Sequence, residues 1–460
     1  MGSAAQTQEP QPSYGTMGVP SPTNTPGGRM AFCTWSDAAG NLWLFGGVSN
    51  AVRNAAGGSG YLNDMWRYDR ASGEWTWVGG SNNADAPGVY GVKGQPAPGN
   101  WPGARWQMGC WTDENGNFWL FGGVGVDLNP PNYDGLYAGD LDDLWRYDPV
   151  TGEWTWMSGY DTFSSCNATV TPVQCNDMPS YGALGVPSPG NVPGARFFPT
   201  TWTDGQGNLW MFGGQGADAT GNWSVGQLND LWRYNIASGE WTWMSGSSYA
   251  NSVGQYGTRG VASPENAPGS RESAVGWADG DGYLWLFGGI GRGVSASDTG
   301  PYPDLNDLWR YDIANGEWTW VGGSKLNGQD GNYGAEGVAS PANWPGARDG
   351  ALALTGANGG FWLFGGDGFD AIGTLAFGAP PQLNDLWRYD PGTGLWTWMA
   401  GSNLANQAGT YGTMGVSATG DVPGARLWAG GWADSSGALW IYGGVVLSSQ
   451  YADLWKYQQP

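Results

Sequence analysis

Residues 141–159 read LDDLWRYDPVTGEWTWMSG. Leu144–Tyr147 is a short apolar run, Asp148–Gly152 carries the residues of a tight turn, and Trp154–Met157 is a second apolar run. This is the pattern of a β-hairpin. Side chains alternate along a strand, so Trp145 and Tyr147 share one face, and Trp154 and Trp156 another. Upstream, Trp106–Trp111 and Phe118–Phe121 read as two further strands around a turn at Asp113-Glu-Asn-Gly116-Asn, and the second ends at Gly122-Gly123. Four strands therefore make one unit. The double glycine recurs at Gly46, Gly122, Gly213, Gly288, Gly365 and Gly443, with spacings of 76, 91, 75, 77 and 78 residues. A repeat that cannot bury its own aromatic faces must stack on its neighbours. The 460 residues are thus read as one all-β domain of six units rather than as several domains.

Composition narrows the functional classes. With 18 basic and 40 acidic residues the net charge is -22, which speaks against nucleic acid and against anionic membrane surfaces. There is no histidine, so no imidazole base, His-ligated copper or His-containing triad can be built. No apolar run is long enough to span a bilayer, and residues 1–13 lack the core of a signal peptide. Cys166 and Cys175 bracket the insertion that lengthens the second spacing, and a local disulfide is expected there, implying an oxidising compartment. Cys33 and Cys110 fall four and five residues after their arginines, so they are expected to face opposite ways as buried thiols. No CxxC pair supports a metal site. No cofactor is expected; Ca²⁺ is left open as an alternative that the sequence does not indicate.

A double glycine followed by a Tyr and a Trp with six residues between them resembles the kelch fingerprint. The pairs are Tyr68/Trp75, Tyr147/Trp154, Tyr234/Trp241, Tyr311/Trp318 and Tyr389/Trp396. The resemblance covers nearly the whole chain and implies a six-bladed kelch-like β-propeller. Its units run 14–89, 90–180, 181–255, 256–332, 333–410 and 411–460, after a disordered or closure segment at 1–13. Two departures stand out. These units exceed the roughly 50 residues of a kelch repeat, with the excess in the Tyr-Gly…Pro-Gly-Ala-Arg connection. GEWTW-type fourth strands number five for six units, so the sixth blade is expected to lack a regular fourth strand. Ala4–Glu9 is a candidate patch, and the open edge a candidate for self-association.

Long connections concentrate on one face, where function is expected. Their aromatics Tyr133, Tyr137, Trp223, Tyr302 and Phe369 suit a glycan or protein ligand; the alternative is that they pin the loops. Six arginines, Arg29, Arg105, Arg196, Arg271, Arg348 and Arg426, open the innermost strands. One reading is an anion site. The other, favoured by one aspartate per unit, is an ion pair over the double glycine to Asp64, Asp143, Asp230, Asp307, Asp385 and Asp453. The residue after each arginine diverges (Met30, Trp106, Phe197, Glu272, Asp349, Leu427), as expected for the channel mouth. Trp106, Phe197, Glu272 and Asp349 are therefore candidate ligand residues, Glu272 and Asp349 as a carboxylate pair.

The leading expectation is a non-catalytic binding or scaffold protein, exported or at the cell surface. The alternatives are a glycan-active, sialidase-like hydrolase and a structural assembly subunit. Galactose oxidase shares the kelch-like propeller, but its copper chemistry needs histidine, which is absent here. Sialidases use an arginine triad and a Tyr nucleophile. Arginines that recur in every unit speak for structure instead.

Overall fold

The computed structural model describes residues 10–128, 139–163, 166–167, 174–175, 177–220, 226–295, 303–374 and 381–458. Among them there is no helix, and the chain forms small antiparallel sheets, an arrangement consistent with a β-propeller. The second sheet pairs Gly109–Thr112, Phe118–Phe121, Leu144–Asp148 and Glu153–Ser158 side by side. The first, third, fourth and fifth units each build an equivalent four-stranded run. In the sixth, the equivalent run has three strands among the described residues, Gly430–Ala433, Leu439–Tyr442 and Leu454–Tyr457, and the candidate patch Ala4–Glu9 lies outside them. Registers repeat: Tyr147 lies opposite Trp154, and Trp145 opposite Trp156. Turn chemistry fixes the hairpins. Asp113 Oδ1 accepts the amides of Asn115 and Asn117, and Oδ2 accepts the Trp119 indole N–H at 2.8 Å, so the turn is anchored to the strand it starts.

Aromatic faces join sheet to sheet. Trp35 stacks on Phe118 at 5.1 Å. Indole N–H groups reach backbone carbonyls of the following sheet: Trp111 to Trp210, Trp202 to Trp285, Trp277 to Trp362, and, from the sixth to the first, Trp432 to Trp43. A second-strand ring also meets a fourth-strand Trp of the next sheet: Phe45–Trp154, Phe121–Trp241, Phe212–Trp318, Phe287–Trp396 and Tyr442–Trp75, with centroids 5.4–5.7 Å apart. Burying each such side chain is worth roughly 1.5–3 kcal/mol. This repeated aromatic seam is the core.

Three features differ from the sequence reading. The first strand is not continuous. Arg105–Trp106 pairs with Val124–Gly125, Gly109–Thr112 pairs with Phe118–Phe121, and Gln107 between them has a φ of 62°. The Tyr-Gly…Pro-Gly-Ala-Arg connection does not simply cover the long-loop face. It runs along the outer strand of its own sheet, where the Gly185 amide donates to the Trp243 carbonyl (2.7 Å) and Asn191 Nδ2 to that of Trp241 (3.0 Å). The extra residues of each repeat thus cap an edge that would otherwise be open to pairing. Finally, Cys33 and Cys110 are joined in a disulfide, with Cα atoms 5.9 Å apart. The expectation of two thiols facing apart fails for a simple reason. Neighbouring sheets look at each other with opposite faces, so opposite parity is what lets the two side chains meet. Cys166 and Cys175 are direct partners in a two-stranded ladder; their side chains lie outside the described residues.

Candidate functional site

Each arginine that opens an inner strand is buried and paired with the aspartate of its unit, at 2.5–2.7 Å for Arg29–Asp64, Arg105–Asp143, Arg196–Asp230, Arg271–Asp307, Arg348–Asp385 and Arg426–Asp453. The second carboxylate oxygen completes a knot. In the third unit Asp230 Oδ2 accepts Arg196 Nη2 (2.8 Å), the Tyr181 hydroxyl (2.8 Å) and the Trp232 indole (2.7 Å), while Arg196 Nη1 also donates to the Gly213 carbonyl (3.0 Å). With Nε donating to the Gly194 carbonyl (3.2 Å), all three nitrogens of the Arg196 guanidinium are engaged, and because all six arginines are buried against their own aspartates they offer no free cation to an anionic ligand. The glycines make room. A Cβ on Gly122 would sit 2.7 Å from the Arg196 carbonyl oxygen, and its φ is 63°.

Two residues beyond each arginine the chain turns left-handed: Ala31, Gln107, Phe198, Ser273, Gly350 and Trp428, with φ of 52–62°. Their backbones form a cycle. The amide of Gln107 donates to the Ala31 carbonyl, Phe198 to Gln107, Ser273 to Phe198, Gly350 to Ser273, Trp428 to Gly350, and Ala31 to Trp428, all at 2.9–3.2 Å. Five of the six are not glycine, and each such residue carries roughly 1–3 kcal/mol of strain. The cycle holds them there. Gly350 is needed as such, because a Cβ would meet Trp428 Nε1 at 2.8 Å.

Side chains on this cycle shape a floor. Phe198 and Trp428, three units apart along the cycle, stack at 5.1 Å. Trp106 meets both edge-on, at 6.5 Å and 6.3 Å, and stacks on Tyr61 at 6.1 Å. Around the floor lies a rim of three residues per unit, set by cross-strand pairing. In the first two units it holds Met30, Val48, Tyr61, Trp106, Val124 and Asp140. In the fourth and fifth it holds Glu272, Ile290, Asp304, Asp349, Asp367 and Gln382. Apart from Asp140, whose carboxyl burial also raises to about 7, the rim is therefore apolar on one side and carboxylate-rich on the other. Burial raises all four acids of the second group. Asp304 is pushed up to about 6, and Asp367 to about 7, with the Asp304 charge adding to the effect. Glu272 is raised by burial, and Asp349 well above the usual range by burial and then by Asp304 and Asp367. Among the described residues, Asp367 Oδ1 and Trp428 Nε1 have no hydrogen-bond partner. Among the described residues no three acidic side chains are placed to hold a metal ion.

The candidate residues separate accordingly. Trp106, Glu272 and Asp349 belong to this rim and floor, and Phe197 is on the rim beside Phe198. Glu272 and Asp349 are electrostatic neighbours, but Asp349 hydrogen-bonds Asp304 instead. Phe369 is buried. Tyr133, Tyr137, Trp223 and Tyr302 lie outside the described residues. Loop acids serve the loops: Asp218 accepts the amides of Thr220 and Ala250, and Asp370 those of Ile372, Thr374 and Ala405. Sequence reasoning missed Phe198, Trp428, Asp304 and Asp367. The first two diverge between units just as their predecessors do (Ala31, Gln107, Phe198, Ser273, Gly350, Trp428), and that was the available signal. Compared with known proteins, the chain matches no family model and no curated protein.

Proposed function

We propose that this chain is a kelch-like, six-bladed β-propeller acting as a non-catalytic binding protein, with a glycan as ligand at the axial mouth on its long-loop face. The observation that carries the reading is the aromatic floor of Trp106, Phe198 and Trp428 beside the carboxylates of Glu272, Asp304, Asp349 and Asp367. A sugar ring presents C–H faces that stack on aromatics and hydroxyls that donate to carboxylates. The cycle of six backbone hydrogen bonds supports closure into a propeller. The Cys33–Cys110 disulfide supports an exported or surface location. Asp304 and Asp349 hydrogen-bond each other and are largely buried, which favours binding over acid–base hydrolysis.

Oligosaccharide titration followed by Trp fluorescence is the test. Binding is expected, and Trp106→Ala or Trp428→Ala should weaken it at least tenfold, in line with the loss of an aromatic contact. Hydrolysis of the sugar by the parent chain would overturn the non-catalytic reading. A protein ligand captured in place of any glycan would keep the site and replace its ligand class.

A further inference from the structure

The sixth sheet breaks a rule that the other five obey. In each of those, the first Trp of the fourth strand packs between two sheets and against the Tyr opposite it. Trp241 shows the setting: it lies with Phe121 and Leu144 of the preceding sheet, with Leu209 and Met211 of its own, and with Tyr234 at 5.1 Å. The equivalents around the sixth sheet are Phe364, Leu386, Leu439, Ile441 and Tyr457. They line or border an apolar recess between the fifth and sixth sheets. Of the six rings that immediately precede a double glycine, Phe364 is the one without a fourth-strand Trp partner among the described residues.

The second Trp of the fourth strand has a fixed neighbour too. Tyr14, Tyr90, Tyr181, Tyr256 and Tyr333 pack edge-on against Trp77, Trp156, Trp243, Trp320 and Trp398 at 5.0–5.4 Å. Tyr411 has no such partner among the described residues. It is 42 % exposed where Tyr90 is 2 %. The connection beside it is altered as well. Asn24, Asn100, Asn191, Asn266 and Asn343 each donate an amide hydrogen to the carbonyl of the first Trp. The sixth copy has Asp421 at that place.

We propose that this edge is an acceptor site for an extended peptide strand bearing Trp at alternate positions. The strand pairs antiparallel with Leu454–Tyr457. Its first Trp lies opposite Tyr457 and enters the recess at Phe364; its second lies opposite Trp455 and covers Tyr411. Register and occupant follow from the five complete sheets, where Tyr389 faces Trp396 and Trp387 faces Trp398. Main-chain pairing along an exposed edge supplies affinity, and pockets for alternate side chains supply selectivity. Asp421 accepts but cannot donate to the incoming carbonyl, so the site holds its strand without the clamp used elsewhere.

The probe is a synthetic peptide with the chain's own residues 239–247, GEWTWMSGS. Calorimetric titration into the full chain should show one site. Hydrogen exchange should slow at Leu454–Tyr457 when it is occupied. Replacing either peptide Trp by Ala should weaken binding at least tenfold. Asp421→Asn restores the missing donor and should tighten binding about fivefold. No binding up to about 1 mM to either chain, equal binding of the Trp→Ala peptides, or protection elsewhere than Leu454–Tyr457 would overturn the proposal.

Discussion

Asp367 stands directly across the ladder from Asp349, two like charges where a sheet prefers opposite ones or none. Its carboxyl is raised from 3.8 to about 7, by burial first and by the Asp304 charge second. The native state therefore holds a proton that the unfolded chain gives up, and stability falls as pH rises from about 4 to about 7. Asp367→Asn should leave the unfolding midpoint unchanged at pH 4. It should raise stability by roughly 1–3 kcal/mol at pH 8, read from denaturant titrations at both values. For the binding proposed above, such a group is retained in the site at a cost in stability. How far that site could be read in advance depends on the residue. Glu272, Asp349 and Trp106 announce themselves, since they diverge within an otherwise constant sentence. Phe198 and Trp428 diverge equally but sit one position on. In a straight strand that places them on the other face. The left-handed turn at these positions breaks the two-residue period, and nothing in an aromatic residue signals a positive φ.

Strands and their hairpins were legible because their causes are local: a turn-forming Asp, a glycine, and aromatics at alternate positions. Contacts between sheets were not, as the cysteines illustrate. Cys33 and Cys110 are 77 residues apart, and the parity of their positions was read correctly; what was missing was that adjacent sheets meet with opposite faces. The bond ties the inner strand of the first sheet to that of the second. Closing a loop of that length is worth about 4–5 kcal/mol. Replacing both cysteines by Ser should lower stability by about that amount in non-reducing buffer. In reductant, the parent and the variant should converge.

At the scale of the molecule, each sheet is held to the next by the same aromatic exchange except between the fifth and sixth, where the fourth-strand Trp has no counterpart among the described residues. Four sites in one seam are weakened together: Phe364, Leu386, Asp453 with a 20 % exposed side chain, and Tyr411. Opening should therefore start there. Native-state hydrogen exchange is expected to find the amides of Leu439–Tyr442 less protected, by about tenfold or more, than those of Asn208–Phe212 in the third sheet. Equal protection would mean that the seam is as strong as the rest. The cycle of backbone hydrogen bonds has the opposite character. Because main-chain atoms alone set its calibre, the side chains at the five positions other than Gly350 are interchangeable: Ala, Gln, Phe, Ser and Trp already occupy equivalent places. For the binding proposed above, selectivity at the mouth can drift one position at a time, like changing the bits on a fixed spindle, while the architecture beneath stays as it is.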